Sequence, residues 1–131
     1  MELKEVVALL IRSLRNQSSI TQKVGSRIRV GHIASLVNTD YPLLTIEVLN
    51  VTTYWKVAVY TYLIRFTAWA KTPIEADETI QAVHDYLQCN TILDNNVILQ
   101  GELVGARNGV DPTTELSYSM ADYRFTVIKE E

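Results

Sequence analysis

Residues 56–70 read KVAVYTYLIRFTAWA, an apolar run as long as a helix but built from the residues that strands prefer, and its reading decides the fold. Taken alternately, one set of positions is Ala58, Tyr60, Tyr62, Ile64, Phe66 and Ala68. The other is Val57, Val59, Thr61, Leu63, Arg65, Thr67 and Trp69. Both sets are largely apolar. Valine, threonine and aromatic side chains at this density lose rotamer freedom in a helix and pack well on a pleated surface, so the run is read as a strand. Its fifteen residues, at about 3.3 Å each, make a ribbon of about 50 Å. A strand that long and apolar on both faces either lies centrally under helices or projects and is covered by another subunit. The sequence leaves both open. Lys56, Arg65 and Lys71 interrupt the run, so it does not supply the roughly 18 uncharged apolar residues of a membrane span.

The flanking segments supply the partners of this strand. Upstream, Leu3, Val6, Val7, Leu10 and Leu14 recur at helical spacing among charged residues, predicting an amphipathic helix over residues 2–16 that ends at NQSS. KVGSRIRVGHI follows, a short apolar and basic alternation with a glycine on each side, read as a short strand between turns. After Pro42, Leu44, Ile46 and Val48 alternate with Thr45 and Glu47, predicting a half-buried strand that ends near Asn50. Downstream, Thr72, Pro73 and Glu75 occupy the N-cap, first-turn and capping-box positions of a helix whose buried stripe is Ala76, Ile80, Val83 and Leu87. Asn90 and residues 94–96 mark a return turn. Residues 97–106 and 115–129 read as two strands, separated by RNGVDPTT with its Asn-Gly and Asp-Pro turn dipeptides. In the last strand the set Ser119, Ala121, Tyr123, Phe125 and Val127 becomes apolar toward the C-terminus, which places that end in the core. The sum is an α+β fold: one domain over residues 1–131, a mainly antiparallel β-sheet with two helices packed on one face, and a long β-hairpin.

Composition agrees with a folded chain. Hydrophobic residues are 47% and charged residues 21% of the sequence, far from the signature of disorder. The net charge of −3 hides an asymmetry: residues 1–35 carry six bases against Glu2 and Glu5, a net of +4, and the remainder carries six bases against thirteen acids, a net of −7. Such a split can support nucleic-acid contact or stacking of oppositely charged faces, but taken alone an ordinary solvated surface is the better explanation. Acids in the first turn and the lack of a small-residue cleavage site predict no secretory signal at the N-terminus. The single cysteine, Cys89, fits a reducing cytosolic compartment and excludes a cysteine-rich metal site.

No catalytic constellation is visible. His84 and Asp85 are neighbours in the second helix and point in different directions, and His32 stands beside a glycine, so no metal site is expected. Gly101, Gly105 and Gly109 recur every four residues, but the charged residues between them exclude a membrane helix and leave a bulge, a bend or a turn. Phosphate-binding glycine motifs are absent, so no cofactor is expected. Arg27 and Arg29 alternate on one strand, with Lys23 nearby, as a solvated or subunit-facing patch.

Four segments in order, KVGSRIRVG, DYPLLTIEV, YLIRFTAWAKTPIEADETIQAVHDYL and GVDPTTELSYSMADYRFTVI, carry a resemblance. Val24, Gly25, Arg27 and Ile28 form a Val-Gly-x-Arg-Ile segment, Pro42 leads a strand, Trp69 and Ala70 join strand to helix, and Asp111 and Pro112 mark the closing hairpin. Together they resemble the tail-completion or tail-terminator proteins of long-tailed bacteriophages, a family that also includes minor tail and gene-transfer-agent neck proteins. Arg29 and the loop HIASLVNTDY depart from the family pattern. The resemblance implies a non-enzymatic virion protein, assembled in the host cytoplasm, that forms a homohexameric ring on the head-proximal end of the tail tube. Its implied partners are its own copies, the tail tube protein and the head-tail connector proteins, with DNA passing only through the lumen and no membrane contact. The candidate interface residues are Arg27, Arg29, His32, Tyr41, Tyr60, Tyr62, Arg107 and Asp111, with the loops at residues 31–41 and 107–114. A head-side connector or stopper is the near alternative. A small ligand-binding α+β domain is the distant one, and it requires a concave pocket with convergent polar groups.

Overall fold

The computed structural model describes residues 3–31, 41–54, 59–89, 92–94 and 97–129. The order is α1 (Leu3–Arg15), α2 (Ser18–Val24), β1 (Ile28–Val30), β2 (Leu43–Tyr54), β3 (Val59–Ala70), α3 (Pro73–Cys89), β4 (Ile92–Asp94), β5 (Val97–Val110) and β6 (Ser117–Lys129). Among the described residues the strands form one six-stranded sheet in the order β1-β2-β3-β6-β5-β4. Only β1 and β2 pair in parallel; every other pairing is antiparallel. The fold is α+β, as expected.

The long apolar run is a central strand. Hydrogen-bonded to β2 on one side and β6 on the other over its whole described length, β3 has no free edge. One face of β3 carries Tyr62, Ile64 and Phe66 into the main core, where Leu44 and Ile46 of β2 and Tyr123, Phe125 and Val127 of β6 join them. Helices cover that face: Val6, Leu10 and Leu14 of α1, Ile20 and Val24 of α2, and Val83 and Leu87 of α3 are all buried there. Phe66 sits edge-on to Tyr123 (ring centroids 5.7 Å, 80°) and to Phe125 (6.0 Å, 69°), the arrangement that aromatic quadrupoles favour.

The other face of β3 has a second, smaller apolar cluster at one end only. Trp69 packs there with Leu43 and Leu116, and Tyr41 and Tyr118 lie against them. Its indole Nε1 donates to the Thr45 hydroxyl at 2.9 Å, and that hydroxyl donates to the Thr67 carbonyl at 3.5 Å. Two threonines are thereby buried on a face that no helix covers among the described residues.

Local signals set several boundaries. The Thr72 hydroxyl accepts from the Glu75 amide at 3.3 Å, the expected N-cap bond of α3. Buried Thr79 is tolerated inside that helix because its hydroxyl donates to the Glu75 carbonyl at 2.7 Å. Tyr123, Phe125 and Val127 are buried as the alternation predicts, and the burial extends back along the same face to Ala121 and Ser119.

Three expectations need correction. The chain between α1 and β1 is not a plain connection but a third helix, α2, capped by Gly25 at φ +58°; two residues, Ile20 and Val24, are too few to show a period, and burial decides. β2 runs to Tyr54 rather than ending near Asn50, because a bulge after Val48 resets its alternation. Asp94 ends β4 and pairs with Val97 across the expected return; Asn90 and residues 95–96 lie outside the described residues. Arg107, Asn108 and Gly109, read as loop, continue β5, opposite Met120, Ser119 and Tyr118. An alanine at Gly109 would bring its Cβ within 2.8 Å of the Tyr118 hydroxyl, so the glycine serves a close cross-strand approach and not a turn. The Asp-Pro half of the expected segment does turn, at residues 111–116, where the Asp111 carboxylate accepts from the Thr114 hydroxyl at 2.8 Å and from the Thr113 amide at 3.3 Å.

Candidate assembly interface

The sequence-derived candidates divide sharply once placed on this frame. Arg27 is committed inside its own chain: Nε donates to the Pro42 carbonyl at 2.9 Å and a terminal nitrogen to the Lys23 carbonyl at 3.4 Å, tying the end of α2 to the start of β2. Arg29 likewise turns back to the Ser26 and Ile28 carbonyls at 3.0 and 3.2 Å. Tyr41 packs against the Trp69 cluster. Tyr60 is half-buried against the main core. Tyr62 is only 2% exposed, which removes it from any list of residues offered to a neighbour; its place in the alternation did not reveal this, since both alternate sets of β3 are apolar. Asp111 organises the 111–116 turn. His32 and residues 32–40 of its loop lie outside the described residues. Arg107 alone of these candidates stands well exposed on a strand.

That strand is the most accessible element of the sheet. Residues 102–108 of β5 are exposed without interruption, including Leu103 and Val104, each 42% exposed. The helix layer stops short of β5: Leu99 is buried, whereas Leu103 and Ala106, on the same face, are not. On its outer side β5 pairs with β4 only at residues 97–99. Among the described residues, no strand pairs with that outer side from Gln100 to Val110. An exposed edge of this length presents a row of backbone donors and acceptors to a neighbour. Glu102, Arg107 and the bulge at Val104 are devices that keep such an edge from pairing indiscriminately, so a partner has to match them. A second edge, β2 after Ile46, has no strand partner among the described residues and exposes Leu49 and Val51.

Beyond the Trp69 cluster, the uncovered face of the sheet is cross-linked by charged side chains. Glu47, Arg65 and Asp122 stand in one row across β2, β3 and β6. Arg65 grips Asp122 with two parallel bonds, Nε at 2.8 Å and a terminal nitrogen at 3.0 Å. Hydrogen bonding to Asp122 raises the guanidinium above its ordinary range, and the fork fixes the β3–β6 register on this face. The residues that sequence reasoning missed are those at the edges: Glu47, Leu49 and Val51 on β2, and Glu102, Leu103 and Val104 on β5. The breaks in alternation at Leu49 and Val104 were the available signal.

A cleft of about 660 Å³ lies where α3 meets β5 and β6, lined by His84, Gln88, Glu102, Leu103, Tyr123 and Arg124 among others. Nδ1 of His84 is hydrogen-bonded to the Tyr123 hydroxyl. Burial, with Asp85 adding to it, pushes the Tyr123 phenol up to about 12 from its ordinary 10, and burial also raises Tyr62. A phenol so placed holds its proton; it is no base near neutrality. Because the folded-state value is raised, its stabilising contribution is complete below pH 10 and is lost as pH rises through about 12. The unfolding free energy from urea titrations should therefore fall across this window, by on the order of 1–2 kcal/mol after allowing for solvent screening. Tyr123→Phe should flatten part of that fall, and an unchanged profile would remove Tyr123 as its source. Among the described residues, no group of three His, Cys, Asp or Glu side chains could hold a metal ion, and no helix is long and apolar enough to cross a membrane.

No protein-family model matches the chain, and no curated protein matches it.

Proposed function

We propose that this protein is a structural ring protein of a long-tailed phage, capping the head-proximal end of the tail tube, stopping its polymerisation and offering the head its joining surface. The observation that carries this is the exposed strand β5. It stands outside the helix layer along most of its length, and a strand so placed is a surface for a neighbouring subunit. The resemblance supports the choice of neighbour. Its four segments fall at four joints of the fold: the α2–β1 junction, the start of β2, the β3-to-α3 passage through Trp69 and Ala70, and the β5–β6 hairpin closed by Asp111 and Pro112. The charge split, positive in the first 35 residues and negative after them, gives stacked rings a preferred order. In this role the chain acts by binding and not by catalysis. It belongs in the neck of the virion, with its own copies, the tube protein and the connector as partners, and DNA passes through its lumen.

The test mixes purified protein with tubes of the cognate tail tube protein and images the ends. Expected are rings at one tube end only, and no elongation of capped ends when fresh tube subunits are added. Binding to portal-bearing heads without binding to tubes would make the protein a head-side stopper. Binding to neither would overturn the assignment to the neck.

A further inference from the structure

We propose that two copies of this chain pair through β5, antiparallel about a two-fold axis, with Glu102 of each copy opposite Arg107 of its partner, forming a dimer that masks this edge. The proposal does not rest on the role in the phage neck. It starts from the bulge at Val104. Ordinarily residues five apart on a strand point to opposite faces. Here the register against β6 passes from Leu103–Tyr123 to Gly105–Asp122, so the alternation is reset between them. Glu102 (opposite Arg124) and Arg107 (opposite Met120) therefore share the uncovered face, while Leu103 (opposite Tyr123) and Ala106 (opposite Ala121) share the helix-side face.

Setting Glu102 against the partner's Arg107 then places Leu103 against the partner's Ala106 and Gln100 against the partner's Gly109, each pair on one face. Side-chain direction and outward-pointing amides alternate together along a strand. Same-face pairing thus also brings backbone donors to acceptors. The two bulges meet at the axis, Val104 beside the partner's Gly105, whose Cβ position has open space around it. A slip by one residue breaks the facing of every pair. The two-fold axis repeats the Glu–Arg pair, so the edge is complementary to itself in charge. Leu103 and Val104, each 42% exposed in the single copy, are then covered.

The surroundings permit this pairing and disfavour the rival one. β4 occupies the outer side of β5 at residues 97–99, and among the described residues no strand pairs with the outer side of the stretch from Gln100 to Gly109. Pairing of β5 with the β2 edge of another copy would set Arg107 against Glu47, but β1 already stands beside residues 44–46. β5 would run into it past Arg107. A ring with one rotational axis has no two-fold contact, so the dimer is a form outside the ring, and its dissociation releases β5 for assembly.

Mass measured by light scattering across a concentration series tests this with three variants. The unaltered protein should be dimeric in free solution. Glu102→Arg and Arg107→Glu alone should each weaken the dimer by roughly tenfold or more, since like charges then meet twice across the axis. The double variant carrying both substitutions should restore it, which also controls for loss of fold. A monomeric unaltered protein, a dimer indifferent to the single substitutions, or a double variant that stays monomeric would each overturn the proposal. Growth beyond a dimer through β2 would do so too, because Arg107→Glu would then repel Glu47 with no rescue. Failure of tube capping with a charge-rescued dimer would remove the neck assignment alone.

Discussion

Replacing Phe66 with alanine should destabilise the domain by about 3–5 kcal/mol, the range for truncating a fully buried aromatic. Phe66 is completely buried on the central strand, under the helices. Its ring meets the edges or faces of Tyr123 and Phe125 from the next strand. Truncation removes the transfer energy of the ring and the geometry of both aromatic contacts, and leaves a cavity bounded by strands that cannot collapse without losing register. Phe66→Leu keeps most of the volume and should cost about 1.5 kcal/mol or less. Urea unfolding of both variants measures this. A loss under about 1 kcal/mol for the alanine variant would mean that the cavity closes and that the aromatic cluster is not the centre of the core.

Trp69→Ala should be of similar size, about 3–5 kcal/mol, with a different spatial signature. Trp69 is 4% exposed, on the face of the sheet opposite the described helices. It is shielded by Leu43, Leu116, Tyr41 and Tyr118. Its removal opens that end of the sheet to water and leaves the Thr45 hydroxyl, completely buried, without its indole donor. Trp69→Phe separates the effects: the apolar contact is largely kept, and the lost bond should cost about 1 kcal/mol. The alanine variant should also speed hydrogen exchange at Asp111, whose amide bonds to the Leu116 carbonyl at 2.9 Å, because Leu116 is anchored by the indole. Unchanged exchange there would show that the 111–116 turn is held by its own Asp111 bonds.

The parts of this fold legible in the sequence are those written in residues two to four apart. The α3 start is one: Thr72 and Glu75 meet because a first helical turn places them together. The inward set of β6 is another, since its apolar run Tyr123, Phe125 and Val127 alternates with Asp122, Arg124 and Thr126. The edges were harder. The Asn108–Gly109 pair is a strong turn signal locally, yet β6 supplies a ladder partner for each residue and Tyr118 covers the glycine, so β5 continues to Val110. For Arg27 and Arg29, charge and alternation pointed to a shared outward patch, but nearby carbonyls captured both side chains.

From its own residues the sequence determined that the run around Phe66 is a strand, that a capped helix follows it, and that the class is α+β. β-branched crowding, capping chemistry and period-two alternation are local and need no partner. It could not say which face of β3 the helices cover, because both faces are apolar. That depended on residues far along the chain: Arg65 closing on Asp122 commits one face to a polar network, and Tyr123 and Phe125 commit the other to the core. Nor could it say that β5 ends outside the helix layer. An edge is defined by the strands that do not pair with it, and only the packed sheet settles that.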